Sequence, residues 1–255
     1  MKIDSSVAVV SGGASGLGAA VVEEFAGAGG HALIADLDAA RGAALAERLG
    51  ERVRFLRTDA ADAAMVRAAI DMARETWGRV NIAVNCAGIA PPRRIVGKDG
   101  PMPLEEFERV VRVNLMGTFN VCRLAAAAMS SNPPGEDGER GVLINTASVA
   151  AFDGQIGQCA YAASKAGVVG LTLPMARDLA RHGIRVMTIA PGLFDTPLMA
   201  GLPEEARVSL AAAVPFPARL GDPKQFARLA LHIVENSYLN GETIRLDAAL
   251  RMGPK

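Results

Sequence analysis

The chain has 255 residues, of which half are apolar and 4% aromatic, and its 27 Lys and Arg residues balance 27 Asp and Glu residues at zero net charge. Since neither half carries a basic block, the composition argues against a nucleic acid or an anionic membrane as partner. Three widely spaced cysteines predict a reducing compartment and no metal site. We expect a cytoplasmic protein without a signal peptide or a membrane span, because the sequence shows no cationic leader and no continuous apolar stretch.

Short apolar runs alternate with amphipathic helical patterns along the chain. The predicted strands are Val7–Val10, Ala32–Ala35, Val53–Leu56, Ile82–Asn85, Val142–Thr146, Val186–Ile189 and Thr243–Leu246. The predicted helices lie near Leu17–Ala28, Ala39–Leu49, Ala63–Thr76, Leu104–Met129, Ala160–Arg181 and Pro223–Glu235. Most strands are nearly continuous apolar runs, as in parallel sheets that are covered on both faces. The alternation therefore predicts an α/β fold, with a doubly wound sheet in a single domain over residues 1–255.

Three segments interrupt this alternation. Pro91–Pro103 and Ser131–Gly141 are rich in proline, glycine or charge, and we predict loops there. Thr196–Leu220 carries four prolines around a short helical pattern and follows the carboxyl end of a predicted strand. Ligands bind at that edge of open α/β sheets, so we expect a lid at about residues 194–220.

A glycine-rich turn follows the first predicted strand and opens the first predicted helix. Its sequence is Ser11-Gly12-Gly13-Ala14-Ser15-Gly16-Leu17-Gly18. Gly12, Gly16 and Gly18 allow a tight turn and a close approach of the backbone to a pyrophosphate at the helix N-terminus. An ordinary glycine-rich strand–helix turn is the alternative, but the order of strand, turn and helix favours dinucleotide binding.

An acidic residue follows the second predicted strand. Asp36 lies 24 residues after Gly12, where a carboxylate accepts hydrogen bonds from the adenosine ribose and repels a 2′-phosphate. This position predicts NAD rather than NADP, although a solvated loop carboxylate is the simpler interpretation. Asp59, just after the third strand, is placed to meet the adenine edge.

Tyr161 and Lys165 are four residues apart, so a helix places them on one face. A charged lysine beside the phenol lowers the pKa of the tyrosine, which makes Tyr161 a candidate general acid/base for a carbonyl–alcohol pair. Such a pair also arises by chance on helices. Ser148 follows a strand thirteen residues before Tyr161, where its hydroxyl can hold the substrate oxygen. Asn114 lies in an apolar helical pattern and is either locally bonded or holds a water that relays protons from Lys165.

Together these motifs resemble the short-chain dehydrogenase/reductase family over the whole chain. The matching motifs are Gly12/Gly16/Gly18, Asn85-Cys86-Ala87-Gly88, Asn114, Ser148, Tyr161-x-x-x-Lys165 and Pro191-Gly192. The resemblance implies a Rossmann fold whose seven-stranded parallel sheet has helices on both faces. It also implies that Asn114, Ser148, Tyr161 and Lys165 form the catalytic tetrad, and that long helices pair between the subunits of a homotetramer.

Five further segments resemble the members of this family that act on 3-hydroxyacyl-CoA with NAD. These segments are Asn114–Asn120, Ile144–Phe152, Ile189–Phe194, Val214–Pro217 and Leu239–Asp247, and the Pro91–Pro103 insertion resembles those members as well. The implied NAD site comprises Gly12, Ser15, Gly16, Leu17, Gly18, Asp36, Asp59, Ala60, Asn85, Cys86, Ala87, Gly88, Tyr161, Lys165, Pro191, Gly192, Phe194 and Thr196. The implied substrate contacts are Ser148, Gln155, Gln158 and Tyr161.

Two features of the sequence bear on the acyl-CoA substrate. Arg93, Arg94 and Lys98 can meet the phosphates of CoA, although their proline- and glycine-rich context favours a solvated loop. Asp195 stands where the family resemblance leads us to expect glycine, and it adds a charge beside the cofactor and the lid.

The expected activity is NAD-dependent interconversion of a 3-hydroxyacyl-CoA and a 3-oxoacyl-CoA. A hydroxysteroid dehydrogenase and a 3-oxoacyl-carrier-protein reductase are the enzymatic alternatives, and Asp36 weighs against the second because that reductase uses NADPH. An NAD-binding scaffold or an RNA-processing partner is the non-enzymatic alternative. The intact Tyr161 and Lys165 pair disfavours an inactive enzyme and leaves a second, non-catalytic role open.

Overall fold

A sheet of seven parallel strands forms the centre of the computed structural model, which describes residues 1–98, 100–200 and 204–254. Its strands are β1 (Val7–Ser11), β2 (His31–Asp36), β3 (Val53–Arg57), β4 (Ile82–Asn85), β7 (Gly141–Thr146), β8 (Ile184–Pro191) and β9 (Thr243–Leu246). A separate antiparallel hairpin pairs β5 (Val96–Gly97) with β6 (Gly100–Pro101). The strand order is β3-β2-β1-β4-β7-β8-β9. Successive strands are added to one side of β1 up to β3 and to its other side from β4 onward, so the order of addition reverses between β1 and β4. This reversal opens the crevice where doubly wound sheets bind nucleotides.

The predicted α/β fold and all seven predicted sheet strands are confirmed. Residues in β1, β4, β7 and β8 are buried throughout, which explains why these strands are apolar runs without alternation. The side chains along each strand alternate between two cores. Val10, Ile34 and Ile144 face one core, whereas Leu33 and Leu143 face the other.

Helices cover both faces of the sheet. They are α1 (Gly16–Gly27), α2 (Ala39–Leu49), α3 (Ala63–Trp77), α4 (Leu104–Val111), α5 (Gly117–Met129), α6 (Cys159–Leu179), α7 (Pro197–Ala200), α8 (Glu204–Ala212) and α9 (Pro223–Glu235). Phe25 of α1 and Phe226 of α9 are fully buried on one face. Val66 of α3 and Val121 of α5 are buried on the other.

The prediction of one continuous α-helix over Leu104–Met129 is wrong. A π-helical turn, Arg112–Met116, separates α4 from α5. The Thr118 hydroxyl donates to the Asn114 carbonyl at 2.7 Å, which satisfies one of the backbone oxygens in this wider turn. The Asn114 side chain holds the turn in place through hydrogen bonds to the Ile89 backbone, which lies outside this helix. The spacing of apolar residues over 104–129 therefore does not indicate the π-helical turn.

The predicted loops contain short regular elements. The hairpin of β5 and β6 lies within Pro91–Pro103, and a 3₁₀ turn, Glu136–Gly138, lies within Ser131–Gly141. The predicted lid contains α7 and α8, while its residues 201–203 lie outside the described residues. Phe194, at the start of this segment, pairs with Gly221 just beyond its end. Both ends of the segment therefore meet beside the sheet.

Candidate active site

The glycine-rich turn lies at the carboxyl end of β1, and two of its glycines are required by contact. A Cβ on Gly12 would lie 2.5 Å from the Ala87 nitrogen, and one on Gly18 would lie 2.2 Å from the Gly12 carbonyl oxygen. Gly12 and Gly16 also adopt positive φ values of 68° and 55°. Side chains are therefore excluded from the turn, and its backbone is left open to a ligand.

The N-terminus of α1 faces the same space. Ser15 occupies the N-cap position, and its hydroxyl makes no capping hydrogen bond within the described part of the chain. Leu17 follows in the first turn of the helix, and a Cβ on Gly16 would lie 3.5 Å from the Cβ of Thr196. The free N–H groups and the positive end of the helix dipole suit a phosphate.

Asp36 ends β2 beside this turn. Its Oδ2 accepts from the Ala14 N–H and its Oδ1 from the Asp38 N–H, both at 3.0 Å. Each carboxylate oxygen keeps a second lone pair for a further donor. The carboxylate is thus held at a fixed orientation and can still accept hydrogen bonds from a ribose.

Asp59 and Ala60 lie one strand further along the same edge. The Asp59 carboxylate accepts from the Ala61 N–H at 2.9 Å, and the Ala60 carbonyl accepts from the Asn120 amide at 2.8 Å. Ala60 also packs against Gly117 at the start of α5. These contacts tie the wall predicted for adenine to the helix that follows the π-helical turn.

The side chain of Asn85 is engaged within the sheet. It accepts from the Ser11 hydroxyl at 3.1 Å and donates to Asn145 at 2.9 Å, and it is 2% exposed. A cofactor contact at Asn85 therefore has to come from its backbone. Cys86 accepts from the Thr146 hydroxyl at 3.5 Å, and burial raises the pKa of its thiol to about 11. The thiol is consequently neutral at physiological pH.

Asn114 links three elements around Gly88. Its Oδ1 accepts from the Ile89 N–H at 2.8 Å, and its Nδ2 donates to the Ile89 carbonyl at 2.9 Å and to the Ser164 hydroxyl at 3.0 Å. A Cβ on Gly88 would lie 3.2 Å from Asn114 Oδ1 and 3.5 Å from Lys165 Nζ. Gly88 thus leaves the space between Asn114 and Lys165 free of side chains.

Lys165 is buried and donates from Nζ to the Thr146 carbonyl at 2.7 Å. Burial lowers the pKa of this ammonium group to about 8. Its Nζ lies 5.9 Å from the centre of the Tyr161 ring. The lysine is therefore positioned beside the phenol as the four-residue spacing predicts, and its charge titrates near neutral pH.

The pKa of Tyr161 differs from the sequence-based expectation. Burial raises the pKa of the phenol above its ordinary value, and the nearby Ser148 hydroxyl acts in the opposite direction. With Lys165 Nζ 5.9 Å from the ring centre, the pKa of the phenol is not brought below its usual range. Desolvation disfavours the charged phenolate and outweighs the hydrogen bond.

The predicted substrate residues Gln155 and Gln158 lie in the connection between β7 and α6. The Gln155 N–H donates to the Gln158 side-chain oxygen at 3.1 Å, and the two amide groups are 3.4 Å apart. Ser148, at the start of this connection, accepts from the Ala150 N–H at 3.1 Å. Tyr161 lies in the first turn of α6, just after the connection ends.

The cofactor residues after β8 pack on neighbouring backbone. The Gly192 N–H donates to the Leu246 carbonyl at 2.9 Å, and a Cβ on Gly192 would lie 2.9 Å from the Asp247 Cα. The Phe194 ring occupies the space that a side chain at Gly221 would need. Pro191 ends β8 and is buried.

Two charged groups singled out in the sequence have local partners. Arg93 forms an ion pair with Glu106 at 3.3 Å, and Asp195 forms one with Arg207 of α8 at 3.0 Å. Arg207 also pairs with Glu204 at 3.2 Å, so the charge of Asp195 is paired within the lid but shares its arginine with a second carboxylate.

Sequence reasoning missed two groups of this site, Ser164 and the Thr146 carbonyl. Ser164 donates to the Tyr161 carbonyl at 2.7 Å and accepts from Asn114, so it joins α6 to the π-helical turn. Its spacing of three residues from Tyr161 could have indicated this. The Thr146 carbonyl has no sequence signal, since any residue supplies one. Among the described residues, no group of three His, Cys, Asp or Glu side chains could hold a metal ion.

Known proteins are similar to this chain in sequence and in fold. A family profile described as short chain dehydrogenase matches residues 6–207. The chain is 56% identical to a 3-hydroxyacyl-CoA dehydrogenase type-2 of Bos taurus, covering 99% of this chain and 98% of the relative. It is 55% identical to the protein of the same name of Homo sapiens over the same shares. A crystal structure of 3-hydroxyacyl-CoA dehydrogenase type-2 from Mycobacterium avium has a TM-score of 0.95 and 48% identity, covering 99% of this chain and 98% of that one.

The fold and the site define an oxidoreductase with a nucleotide-binding crevice. This chain belongs to the short-chain dehydrogenase family. None of its described helices is both long and apolar enough to cross a membrane.

Proposed function

We propose that this chain is an NAD-dependent dehydrogenase that interconverts 3-hydroxyacyl-CoA and 3-oxoacyl-CoA. The observation that carries the proposal is the meeting of Tyr161, Lys165, Asn114 and Ser148 at one edge of the sheet. The acyl-CoA substrate is supported by the near full-length identity to relatives named 3-hydroxyacyl-CoA dehydrogenase type-2.

The residues present fit a nicotinamide dinucleotide. The turn at Gly12 and Gly18 leaves a backbone cradle that a Cβ would fill, and the N-terminus of α1 opens into it. Two backbone N–H groups donate to the Asp36 carboxylate, and each of its oxygens keeps a lone pair for a further donor. Because a carboxylate there repels a 2′-phosphate, we infer that the cofactor is NAD.

The proposed reaction gives every residue of the tetrad a role. Bound NAD supplies the acceptor for the hydride that leaves C3 of the substrate. Tyr161 takes the hydroxyl proton at its phenolic oxygen, and the Ser148 hydroxyl orients the same substrate oxygen. Lys165 supports the phenolate by its charge and binds the nicotinamide ribose. Asn114 holds a water that passes the proton on.

The protonation states constrain this mechanism. Tyr161 must lose its proton to act as a base, and burial alone opposes that loss. A charged Lys165 near the phenol favours the phenolate, and its pKa of about 8 keeps it mostly charged at neutral pH.

We further propose that the chain forms a homotetramer in the cytoplasm and serves fatty acid metabolism. The helices predicted to pair between subunits expose large apolar side chains at their described surfaces, namely Met116 at the end of the π-helical turn, Phe119 on α5 and Leu173 on α6. Burial of such side chains in an interface is favourable. The free cysteines Cys86, Cys122 and Cys159 suit a reducing compartment.

Consumption of NADH with acetoacetyl-CoA tests the activity directly. We expect fast turnover with NADH and much slower turnover with NADPH, since Asp36 disfavours the extra phosphate. A 17-oxosteroid serves as the competing substrate for the hydroxysteroid alternative, and an acyl-carrier-protein substrate with NADPH serves for the reductase alternative. No turnover of acetoacetyl-CoA together with clear turnover of either competitor would refute the proposed substrate.

A further inference from the structure

Two segments that are far apart in sequence pack against each other beside the substrate position. The substrate loop is Phe152–Gln158, between Ser148 and Tyr161. The C-terminal tail is Asp247–Pro254. The Ile156 N–H donates to the Pro254 carbonyl at 3.0 Å, and the Gln155 amide donates to the Gly253 carbonyl at 3.2 Å. The tail therefore supports the loop that carries both predicted substrate glutamines.

Arg245 of β9 joins the loop to the tail. Its guanidinium group donates to the Asp153 carboxylate at 2.5 Å, to the Asp247 carboxylate at 2.7 Å and to the Leu250 carbonyl at 3.1 Å. The same group stacks over the Phe152 ring at 5.1 Å. The planar, multidentate guanidinium group thus fixes four partners in one geometry, which a lysine could not do.

The turn that starts the tail is strained. Ala248 and Ala249 adopt φ values of 51° and 63°, in the left-handed region that disfavours alanine. The turn closes through bonds from the Leu250 N–H to the Asp247 carbonyl and from the Ala249 N–H to the Asp247 carboxylate. Such strain persists where the surroundings impose it, and here Arg245 holds the Asp247 carboxylate.

The same turn touches the cofactor side of the site. Asp247 lies directly against Gly192, which leaves no room for a side chain there. Gly192 belongs to the Pro191-Gly192 turn after β8. The cluster around Arg245 therefore lies between the cofactor turn and the substrate loop.

We propose that Arg245 is a positioning residue of this enzyme, which clamps the substrate loop through Asp153 and Phe152 and thereby sets the KM for the acyl-CoA substrate. The identity of that substrate rests on the proposed function. Among the described residues, Arg245 forms no hydrogen bond or ion pair with the tetrad. It acts through the loop that brings Gln155 and Gln158 to the substrate.

The charges of the cluster are maintained at neutral pH. The Arg245 guanidinium group holds the pKa of the Asp153 carboxyl below its usual range, and the two carboxylates raise the pKa of Arg245. Arg251 forms a second ion pair with Asp247, at 3.1 Å, but it is 61% exposed and does not bond Asp153 in the described structure. Arg251 is therefore a matched control for the loss of one arginine from this cluster.

Steady-state kinetics with acetoacetyl-CoA and NADH test the proposal in three variants, Arg245→Met, Asp153→Asn and the control Arg251→Gln. For the first two we expect the KM for acetoacetyl-CoA to rise about tenfold, with kcat and the Kd for NADH changed less than about threefold. Arg251→Gln should stay within about twofold of the wild type in all three constants. Asp153→Asn preserves the side-chain shape, so it tests the clamp even if Arg245→Met does not fold.

Hydrogen–deuterium exchange separates this proposal from the proposed function. The amides of residues 153–158 should exchange faster in Arg245→Met and Asp153→Asn and at the wild-type rate in Arg251→Gln. An unchanged KM, or equal effects in all three variants, would overturn the role of Arg245. A wild-type enzyme that does not reduce acetoacetyl-CoA would refute the proposed function but would leave the role of Arg245 untouched. In that case, unchanged exchange of the loop amides in Arg245→Met and Asp153→Asn would refute the role of Arg245.

Discussion

The burial of Lys165 carries a cost in stability that can be measured. Its side chain is 4% exposed, and its ammonium group donates to the Thr146 carbonyl. Burial lowers the pKa of the group from 10.5 to about 8. Since one pKa unit corresponds to about 1.4 kcal/mol, the charged form costs the cofactor-free native state roughly 3 kcal/mol.

Replacement of Lys165 by methionine removes this cost and keeps the length of the side chain. The variant also loses the hydrogen bond to Thr146, which contributes about 1 kcal/mol. We therefore expect Lys165→Met to raise the free energy of unfolding at pH 7 by about 2 kcal/mol and to abolish turnover. This result would mean that the wild-type protein keeps Lys165 for catalysis although the residue lowers the free energy of unfolding.

The stability difference between Lys165→Met and the wild type should depend on pH in a definite direction. Below about pH 8 Lys165 is charged in both the folded and the unfolded chain, so the cost is complete. Between about 8 and 10.5 the unfolded chain binds more protons, and the wild type becomes more stable as the pH rises. The advantage of Lys165→Met should therefore shrink over this range.

Urea-induced unfolding of the cofactor-free proteins, at equal chain concentration and at pH 7 and about pH 10, measures both effects. Lys224→Met is the matched control, because Lys224 is exposed at the start of α9 and its loss should change the free energy of unfolding by less than about 0.5 kcal/mol. If Lys165→Met is no more stable than the wild type at pH 7, or if its advantage does not shrink with pH, the reasoning from burial is wrong.

Three further predictions concern the cofactor and the reaction. Tyr161→Phe should abolish turnover and leave the Kd for NADH within about twofold, as measured by fluorescence titration; substantial residual turnover would refute its role as acid/base. Asp36→Ser should improve kcat/KM for NADPH relative to NADH by at least about tenfold, because the repelling carboxylate is removed, and an unchanged ratio would place the ribose elsewhere. Gly18→Ala should weaken NADH binding by about tenfold or more, since its Cβ would lie 2.2 Å from a backbone oxygen. Gly27→Ala in the same helix, with nothing within 4 Å of the added Cβ, is the control and should bind NADH normally.

The sequence by itself determined the sheet and the placement of the chemistry along it. The central strands were predictable because strands covered on both faces must be apolar almost throughout, as β1 and β8 are. The glycine turn was predictable because only glycine fits where Gly18 meets the Gly12 carbonyl. The spacing of Tyr161 and Lys165 indicated a shared helix face, because helical geometry depends only on local separation.

Contacts between distant segments were decided by the tertiary structure alone. The π-helical turn at Asn114 is held by Ile89, and Lys165 is held by a backbone oxygen that any residue would supply. The direction of the Tyr161 pKa shift followed from burial, which no local pattern reports. Arg245 meets Asp153 across 92 positions of the chain. Periodicity records which side of an element faces the core, but hydrogen bonds, desolvation and ion pairs depend on which atoms the completed fold brings within reach.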